Sequence, residues 1–435
     1  MRKLLGHARL DASVPIVLAL TILAFAAGSS SVARAGQVGR PARWWMLGAL
    51  LVLSAAYAAR RRGPGVRVPL ATVLVASFLV LALGSTLWSS SPRLTFHRGV
   101  SFALLLLAAG LLAHGAAGDT TRIRRLLLGI LAGAVLVGLA SLLVGVADPG
   151  AAGSLHTRFR GFGEEPTTDA MLYAVSLPVA LLAALEARTR GALVAAAGAF
   201  VLLDGLLILS GSRGPETGAV LGIALLAATR SRTRLLAVGG LVVATVALAL
   251  AVGLVQTSVK TAAPPPAPTA PSAPARFSNP GLLNQELGSR SNSSAIRSLF
   301  RSSGRTGAWR GAVRKADQRP ALGWGFGTED RVFENHYYGY QGDLVGSSWV
   351  GLYLQLGAIG VAVLALVWIA LGGAAVRAVR RLDANPVGVA CAAVALAAFP
   401  ITFVESWIYA AGNVACLPFW LGALLLGKEA DPVLA

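Results

Sequence analysis

Arginines, carboxylates and one histidine are the residues of this chain that could do chemistry. Arginine binds phosphate oxygens through paired N–H donors, and a histidine or a carboxylate can take up a proton. Arg213 stands in Ser-Gly-Ser-Arg-Gly-Pro-Glu, and Pro215 favours a helix that begins there, so Arg213 would lie beside free backbone amides. That combination suits an anion such as a diphosphate. The alternative is a loop arginine that extends to the membrane surface.

Further arginines recur at helical spacing in a hydrophilic stretch. Arg297, Arg301 and Arg305 are spaced by four, and Arg310 and Arg314 repeat that spacing. A helix formed here would present a stripe of guanidinium groups. Such a stripe can bind phosphate oxygens, contact lipid head groups, or simply be a solvated face.

Candidates for proton transfer lie in two hydrophilic loops. They are Glu164, Glu165, Asp330, Glu334 and His336. The pKa of an ordinary histidine lies near neutral pH, which favours His336, although its tyrosine-rich surroundings could instead make it an interfacial anchor. Neighbouring carboxylates can raise one another's pKa, which keeps the adjacent pair Glu164 and Glu165 among the candidates.

The composition indicates what must position these residues. The chain has 435 residues, of which 55% are hydrophobic and only 13% charged, so its apolar surface needs lipid as part of its solvent. The apolar runs are continuous and roughly 15 to 22 residues long, which favours helices over a barrel. The predicted fold class is an all-α integral membrane protein of about 12 transmembrane helices. The predicted spans are 14–28, 44–59, 67–88, 99–114, 126–147, 169–186, 191–209, 214–229, 235–256, 346–370, 386–404 and 406–426.

These spans divide the chain into three parts: helices 1 to 9 in 1–256, a large loop in 257–345, and helices 10 to 12 in 346–435. With a cytoplasmic N-terminus, the inside segments hold 19 lysines and arginines and the short outside loops hold 8. The positive-inside rule then places the large loop outside the cytoplasm. Its first part is a proline-rich spacer, and its second part is predicted to form short amphipathic helices on the membrane surface, broken at Gly304.

The net charge of +19 is explained by arginines in membrane loops, so no nucleic-acid partner is expected. Membrane lipids are expected partners. The two cysteines, Cys391 and Cys416, fall in apolar segments without a second thiol or a histidine at ligand spacing, so neither a disulfide nor a metal site is predicted.

Four stretches together resemble the O-antigen ligase and polysaccharide polymerase superfamily of membrane glycosyltransferases. RFRGFGEEPTTDAMLYAVSLPVAL, from Arg158, resembles an arginine-glycine loop that leads into a helix. SGSRGPETGAVLGIALL, around Arg213, resembles a serine-arginine-glycine helix start. SSGRTGAWRGAVRKADQRPALGWGFGT, around Arg305, resembles an arginine-tryptophan helix followed by a Gly-Trp-Gly-x-Gly turn. GLYLQLGAIGVAVLAL, from Gly351, resembles the helix after the large external loop.

The resemblance implies a transferase without metal or other cofactor, which moves a glycan from a polyprenyl diphosphate carrier to a lipid, glycan or cell-wall acceptor. It would act on the outer face of the bacterial cytoplasmic membrane. Arg213 and Arg305 would bind the diphosphate, with Arg158, Arg160 and Arg301 as further candidates. The family's helix after the loop commonly begins with a histidine. Gly346 and Ser347 stand there in this chain, and the nearest histidine is His336, ten residues before Gly346.

The identity of the base and the class of reaction stay open at this level. His336, Glu334, Glu164 and Glu165 are the candidate catalytic residues. Nothing separates a ligase from a polymerase. A transporter of a small anion or of a lipid-linked glycan is the alternative function, because Asp204 lies within an apolar span and an intramembrane carboxylate favours a functional role.

Overall fold

The computed structural model describes residues 2–60, 68–154, 158–229, 239, 305–333, 345–381 and 386–430. Most of them are helical. The helices are α1 (Arg2–Gly28), α2 (Ala33–Ala59), α3 (Leu70–Gly84), α4 (Pro92–Ala116), α5 (Thr120–Ala147), α6 (Pro149–Ala152), α7 (Pro166–Leu185), α8 (Arg190–Ser210), α9 (Arg213–Ala228), α10 (Arg305–Ala316), α11 (Glu329–Val332), α12 (Ser348–Arg380), α13 (Pro386–Val404) and α14 (Cys416–Ala430). Two short strands, β1 (Gly153–Ser154) and β2 (Arg158–Phe159), pair antiparallel.

Nine helices in this part of the chain are long and apolar enough to cross a bilayer: α1 to α5, α7, α8, α12 and α13, with α3 extended to Leu87 by a 3-10 helix over Ser85–Leu87. Large apolar side chains stay exposed on their outer faces, and lipid would cover them. Val52, Val80, Leu143 and Ile369 are each about 70% exposed. Helices satisfy their own backbone groups, which is what a lipid environment requires. The chain is therefore a multi-pass, all-α membrane protein, as predicted.

The total of twelve spans stays a prediction. The predicted span 235–256 lies outside the described residues, and α9 and α14 have only 16 and 15 residues. The predicted start of the last span is wrong, because α14 begins only at Cys416. Residues 405–415 before it form a non-helical segment, here called the 405–415 segment, in which Trp407, Ile408 and Tyr409 are buried. In the sequence, the apolar composition of this segment is similar to that of a membrane helix, which explains the wrong start.

Polar contacts sort the connecting segments into two ends of the helix bundle. At one end, Ser30 donates a hydrogen bond to the carbonyl of Phe162, and Ser29 donates to the carbonyl of Gly412. At the other end, Arg122 pairs with Asp11, and Arg124 pairs with Glu186. The helices therefore run alternately up and down. The first end, here called the loop-rich end, also holds residues 85–91, 158–165, 211–212, 317–333, 345–347 and the 405–415 segment.

Helix α12 is broken near the loop-rich end. Gly357 has φ +63° and ψ −162°, which interrupts the helical hydrogen bonds. Residues 320–325 supply the missing partners. The amides of Trp324 and Gly325 donate to the carbonyls of Leu354 and Gln355 at 3.0 and 2.8 Å, and Ala358 N donates to the carbonyl of Pro320 at 2.8 Å. Residues 320–325 are thus hydrogen-bonded to the helix break like a neighbouring strand.

Helix α10 packs on protein with its small side chains. Ala308, Ala312 and Ala316 are fully buried in one cluster with Phe333, Val345 and Leu354. Arg310 and Arg314 lie on the exposed side of the helix. The prediction of an amphipathic helix is confirmed for this stretch. The alanine stripe is covered by α12 and by residues 333 and 345, and the contact of this helix with the membrane surface stays a prediction.

Candidate functional site

Glu329, the first residue of α11, is an acid at the loop-rich end whose side chain accepts four hydrogen bonds. Its side chain is 2% exposed. Oε1 accepts hydrogen bonds from the Val345 amide at 2.5 Å and from the Ser406 hydroxyl at 3.0 Å. Oε2 accepts from Gln355 Nε2 at 2.9 Å and from the Tyr409 hydroxyl at 3.3 Å. These five residues are called the Glu329 cluster below.

The environment of Glu329 favours its neutral form. Burial raises its pKa to about 7, against the opposing effect of hydrogen bonds from Val345, Ser406, Tyr409 and Gln355. Burial also raises the pKa of Tyr409 well above its ordinary value, and the Glu329 carboxylate adds to that shift. Tyr409 therefore stays a neutral donor at neutral pH. A carboxyl group with a pKa of about 7 can exchange a proton near neutral pH.

One member of the cluster links it to less buried surroundings. Ser406 is half-buried, whereas Glu329, Gln355 and Tyr409 are buried. Its hydroxyl also lies 3.1 Å from both the amide and the carbonyl of Ser347, the N-cap residue of α12. The amide donates to the Ser406 oxygen, and the single hydroxyl proton is shared between Glu329 and the Ser347 carbonyl. The hydroxyl of a half-buried residue is thus hydrogen-bonded to a buried carboxylate.

The neighbouring acid, Asp330, is engaged in an ion pair. Arg98 Nη1 and Nη2 donate to the two carboxylate oxygens at 2.7 and 2.8 Å, and Nη1 also contacts the carbonyl of Gly327. This bidentate pair joins α4 to α11 and occupies both oxygens of Asp330. Asp330 is therefore placed for a structural role and Glu329 for proton exchange.

The Gly-Trp-Gly-x-Gly turn fixes the cluster from one side. Gly323, Gly325 and Gly327 have positive φ values of 63°, 104° and 74°, which side chains rarely adopt. A Cβ at Gly323 would lie 2.5 Å from the backbone of Gln355. Gly327 N donates to Gln355 Oε1 at 2.6 Å, and this bond orients the amide whose Nε2 reaches Glu329.

Arg158 holds the turn that precedes Arg213. Its Nε donates to the carbonyl of Ser210 and its Nη2 to the Ser212 hydroxyl, both at 2.8 Å. Gly211 between them adopts the left-handed conformation with φ +57° and ends α8. The first and second resembling stretches are therefore in direct contact. These hydrogen bonds give Arg158 a role in positioning the turn. Its role in substrate binding stays a prediction.

Arg213 is half-buried and is the first residue of α9, which begins two residues before Pro215, the expected start of the helix. Glu216 in the same turn of the helix lies within electrostatic reach of Arg158, Arg213 and Asp204. Two glycines of α9, Gly218 and Gly222, pack against the backbone of α13. A Cβ at Gly214 would overlap the side chain of Val404, two residues before Ser406. The start of α9 therefore lies beside the start of the 405–415 segment.

The remaining predicted residues have varied positions. Arg160 is half-buried after β2, and Glu164 and Glu165 are exposed at the start of α7. The side chains of Glu334, His336, Arg301 and Arg305 lie outside the described residues, although the backbone of Arg305 begins α10. A nearby acid that the sequence reading did not select is Asp169, which is 2% exposed and lies 3.3 Å from the Ser141 hydroxyl.

The part of the chain that the structure describes contains no group of three or more histidines, cysteines or acids that could hold a metal. Cys391 and Cys416 are buried, and neither forms a disulfide.

Sequence reasoning missed Glu329, Gln355, Ser406 and Tyr409. Glu329 follows a glycine turn in a loop, where no periodicity marks a buried side, and Ser406 and Tyr409 lie in a run that was assigned to a helix. The available signal was Gln355, a polar residue within the apolar helix α12, since a polar group in such a place needs a partner. Neither a protein-family model nor a curated protein sequence matches the chain.

Proposed function

We propose that this protein is a membrane glycosyltransferase of the ligase or polymerase type. It moves a glycan from a polyprenyl diphosphate carrier to a lipid, glycan or cell-wall acceptor. The loop-rich end faces outside the cytoplasm of a bacterial cell, as the balance of arginines favours.

The observation that carries this proposal is the pairing of the four resembling stretches at one end of the bundle. Arg158 of the first stretch is bonded to the turn before Arg213 in the second. The glycine turn of the third is bonded to the break in α12, which belongs to the fourth. Residues far apart in the chain that share one end and bond to each other support a common site better than four separate motifs do.

The chemistry at this end suits a diphosphate leaving group. Arg213 is the first residue of a helix of 16 residues, at the end where the backbone amides carry partial positive charge. Arg160 follows β2 in the loop that holds this turn. Fixed positive charge stabilises the negative charge that develops on a departing diphosphate, and this effect is commonly a large part of catalysis.

The test is release of polyprenyl diphosphate from a lipid-linked oligosaccharide by the purified protein in lipid nanodiscs, with lipid-linked repeat units or a lipid acceptor added. Arg213→Ala should lower the rate by roughly ten- to a hundredfold, because a hydrogen bond to a charged group contributes about 1.5 to 3 kcal/mol. Arg188→Ala is the matched control, since Arg188 is exposed at the opposite end of the bundle.

Absence of release with every acceptor, or an equal loss in Arg188→Ala, would reject the proposal. The transporter alternative predicts uptake of an anion or of a lipid-linked glycan by proteoliposomes. That uptake would depend on Asp204, which is half-buried in α8, and would be insensitive to changes in residues 320–327.

A further inference from the structure

The carboxylates of the described chain differ in how a proton could reach them. Asp330 has both oxygens on Arg98. Asp169 is buried, and the hydroxyls at its site, Ser141 and Tyr173, are also at most 2% exposed. Glu329 alone among these three combines complete burial with a half-buried hydroxyl partner, Ser406.

The position of this pair relates it to the proposed site in two ways. Ser406 is bonded to the backbone of Ser347 at the start of α12, the place at which the resemblance expects a histidine. It also lies two residues after Val404, against which Gly214 packs, and Gly214 follows Arg213. Ser406 is therefore bonded to the start of α12 and lies two residues from a contact with the start of α9.

From this geometry we infer that Ser406 and Glu329 form the proton relay of the transfer reaction, with Ser406 facing the acceptor and Glu329 positioned behind it. This inference rests on the function proposed above. The acceptor hydroxyl oxygen bonds to the anomeric carbon of the donor sugar, and the bond from that carbon to the diphosphate oxygen breaks. The diphosphate leaves with the electron pair. The acceptor proton passes to the Ser406 oxygen as the Ser406 proton passes to Glu329 Oε1.

The groups around Glu329 are compatible with this role. Val345 offers an amide, α12 offers Gln355, and the 405–415 segment offers Ser406 and Tyr409, all of them neutral donors. The adjacent residue, Asp330, carries a negative charge that is balanced by the positive charge of its partner, Arg98. Glu329 can thus cycle between its charged and neutral forms without breaking an ion pair. After the product leaves, the proton returns through Ser406 to solvent.

The experiment compares Glu329→Gln and Ser406→Ala with the wild type in the nanodisc release assay across pH 5 to 9. Both variants should lower kcat by roughly a hundredfold while the KM for the donor changes little, because general base catalysis commonly contributes about that much. The wild-type rate should rise with pH around 7, and Glu329→Gln should lack that rise. Ser406→Thr should restore much of the rate of Ser406→Ala.

Two matched controls separate this role from local damage. Glu186→Gln neutralises a carboxylate at the opposite end, and Ser90→Ala removes an exposed hydroxyl that bonds to the Trp324 carbonyl. Both should keep the wild-type pH profile. Infrared difference spectroscopy adds a readout without substrate: a protonated-carboxyl band, absent from Glu329→Gln, should titrate near pH 7.

The outcomes distinguish the relay from the function. If the wild type releases diphosphate and Glu329→Gln keeps its kcat and pH profile, the relay is rejected and the transferase stands. If the wild type releases nothing while the infrared band titrates, the transferase is rejected, and the relay is rejected with it.

Discussion

Gln355 is hydrogen-bonded to Glu329 through a side-chain amide that is also hydrogen-bonded to the glycine turn. Gln355 Nε2 donates to Glu329 Oε2 at 2.9 Å, and its Oε1 accepts from Gly327 N at 2.6 Å. The orientation of the Gln355 amide is fixed by this pair of bonds, because the reversed amide would place a donor against the Gly327 N–H. The turn and the buried acid therefore depend on each other through Gln355.

Replacing Gln355 by leucine should destabilise the protein by about 1–3 kcal/mol, because buried groups on Gly327 and Glu329 lose their partners. Gln318→Leu is the control, since Gln318 is exposed in the turn after α10. Thermal unfolding in detergent, followed by fluorescence, measures both. Equal midpoints for the two variants would contradict the bridging role of Gln355.

Replacing Gly323 by alanine should destabilise the protein more than replacing Gly118. The two glycines have similar positive φ values, 63° and 78°, so the backbone strain is comparable, about 1–2 kcal/mol. At Gly323 the added Cβ meets the Gln355 backbone at 2.5 Å, whereas at Gly118 it meets nothing within 4 Å. The difference between the two unfolding midpoints isolates the contact with α12. Equal losses would mean that the turn can move away from the helix break.

The stability of the loop-rich end should depend on pH through Glu329. Its pKa is raised from 4.5 to about 7 on folding. The unfolded chain therefore releases the proton first as the pH rises, and stability is lost between about pH 4.5 and 7 and is constant above that. The unfolding midpoint of the wild type minus that of Glu329→Gln should fall across this window. A difference that stays constant with pH would show that the pKa of Glu329 is the same in the folded and the unfolded chain.

The ion pair of Arg98 and Asp330 should show only modest coupling. Arg98 is 41% exposed and Asp330 is 25% exposed, so water screens the charges despite the bidentate geometry. A double-mutant cycle with Arg98→Gln and Asp330→Asn should give about 1 kcal/mol or less, decreasing at high salt. The same cycle on activity tests the assignment of roles. If Asp330→Asn loses as much transfer activity as Glu329→Gln, the assignment of proton exchange to Glu329 and of a structural role to Asp330 is contradicted.

Labelling of introduced cysteines tests the orientation of the bundle. Cys391 and Cys416 are buried, so they give little background. Gln318→Cys at the loop-rich end should react with an impermeant maleimide on intact cells, and Arg188→Cys should react only after permeabilisation. The reverse pattern would place the loop-rich end in the cytoplasm and would remove the basis for a reaction on exported, lipid-linked substrates.

The sequence alone predicted the helices well and the Glu329 cluster not at all. Apolar runs mark membrane helices directly, and the predicted bounds of α13 coincide with the observed Pro386–Val404. Pro215 predicted the start of α9 to within two residues, since the helix begins at Arg213. The 405–415 segment was missed because apolar residues buried in protein and apolar residues facing lipid have the same composition. The partners of Glu329 lie up to 80 residues away, and no local pattern encodes them.

The broken helix α12 also constrains the order in which this end is built during synthesis. The ribosome makes residues 320–325 before residues 354–359, and the hydrogen bonds between them satisfy backbone groups on both sides. An unsatisfied backbone group costs several kcal/mol in a lipid environment. The part of α12 before Gly357 is therefore stable only once the turn that precedes it in the chain is in place. A folding intermediate in which α12 has formed without that turn would leave the backbone groups at the break near Gly357 without their partners.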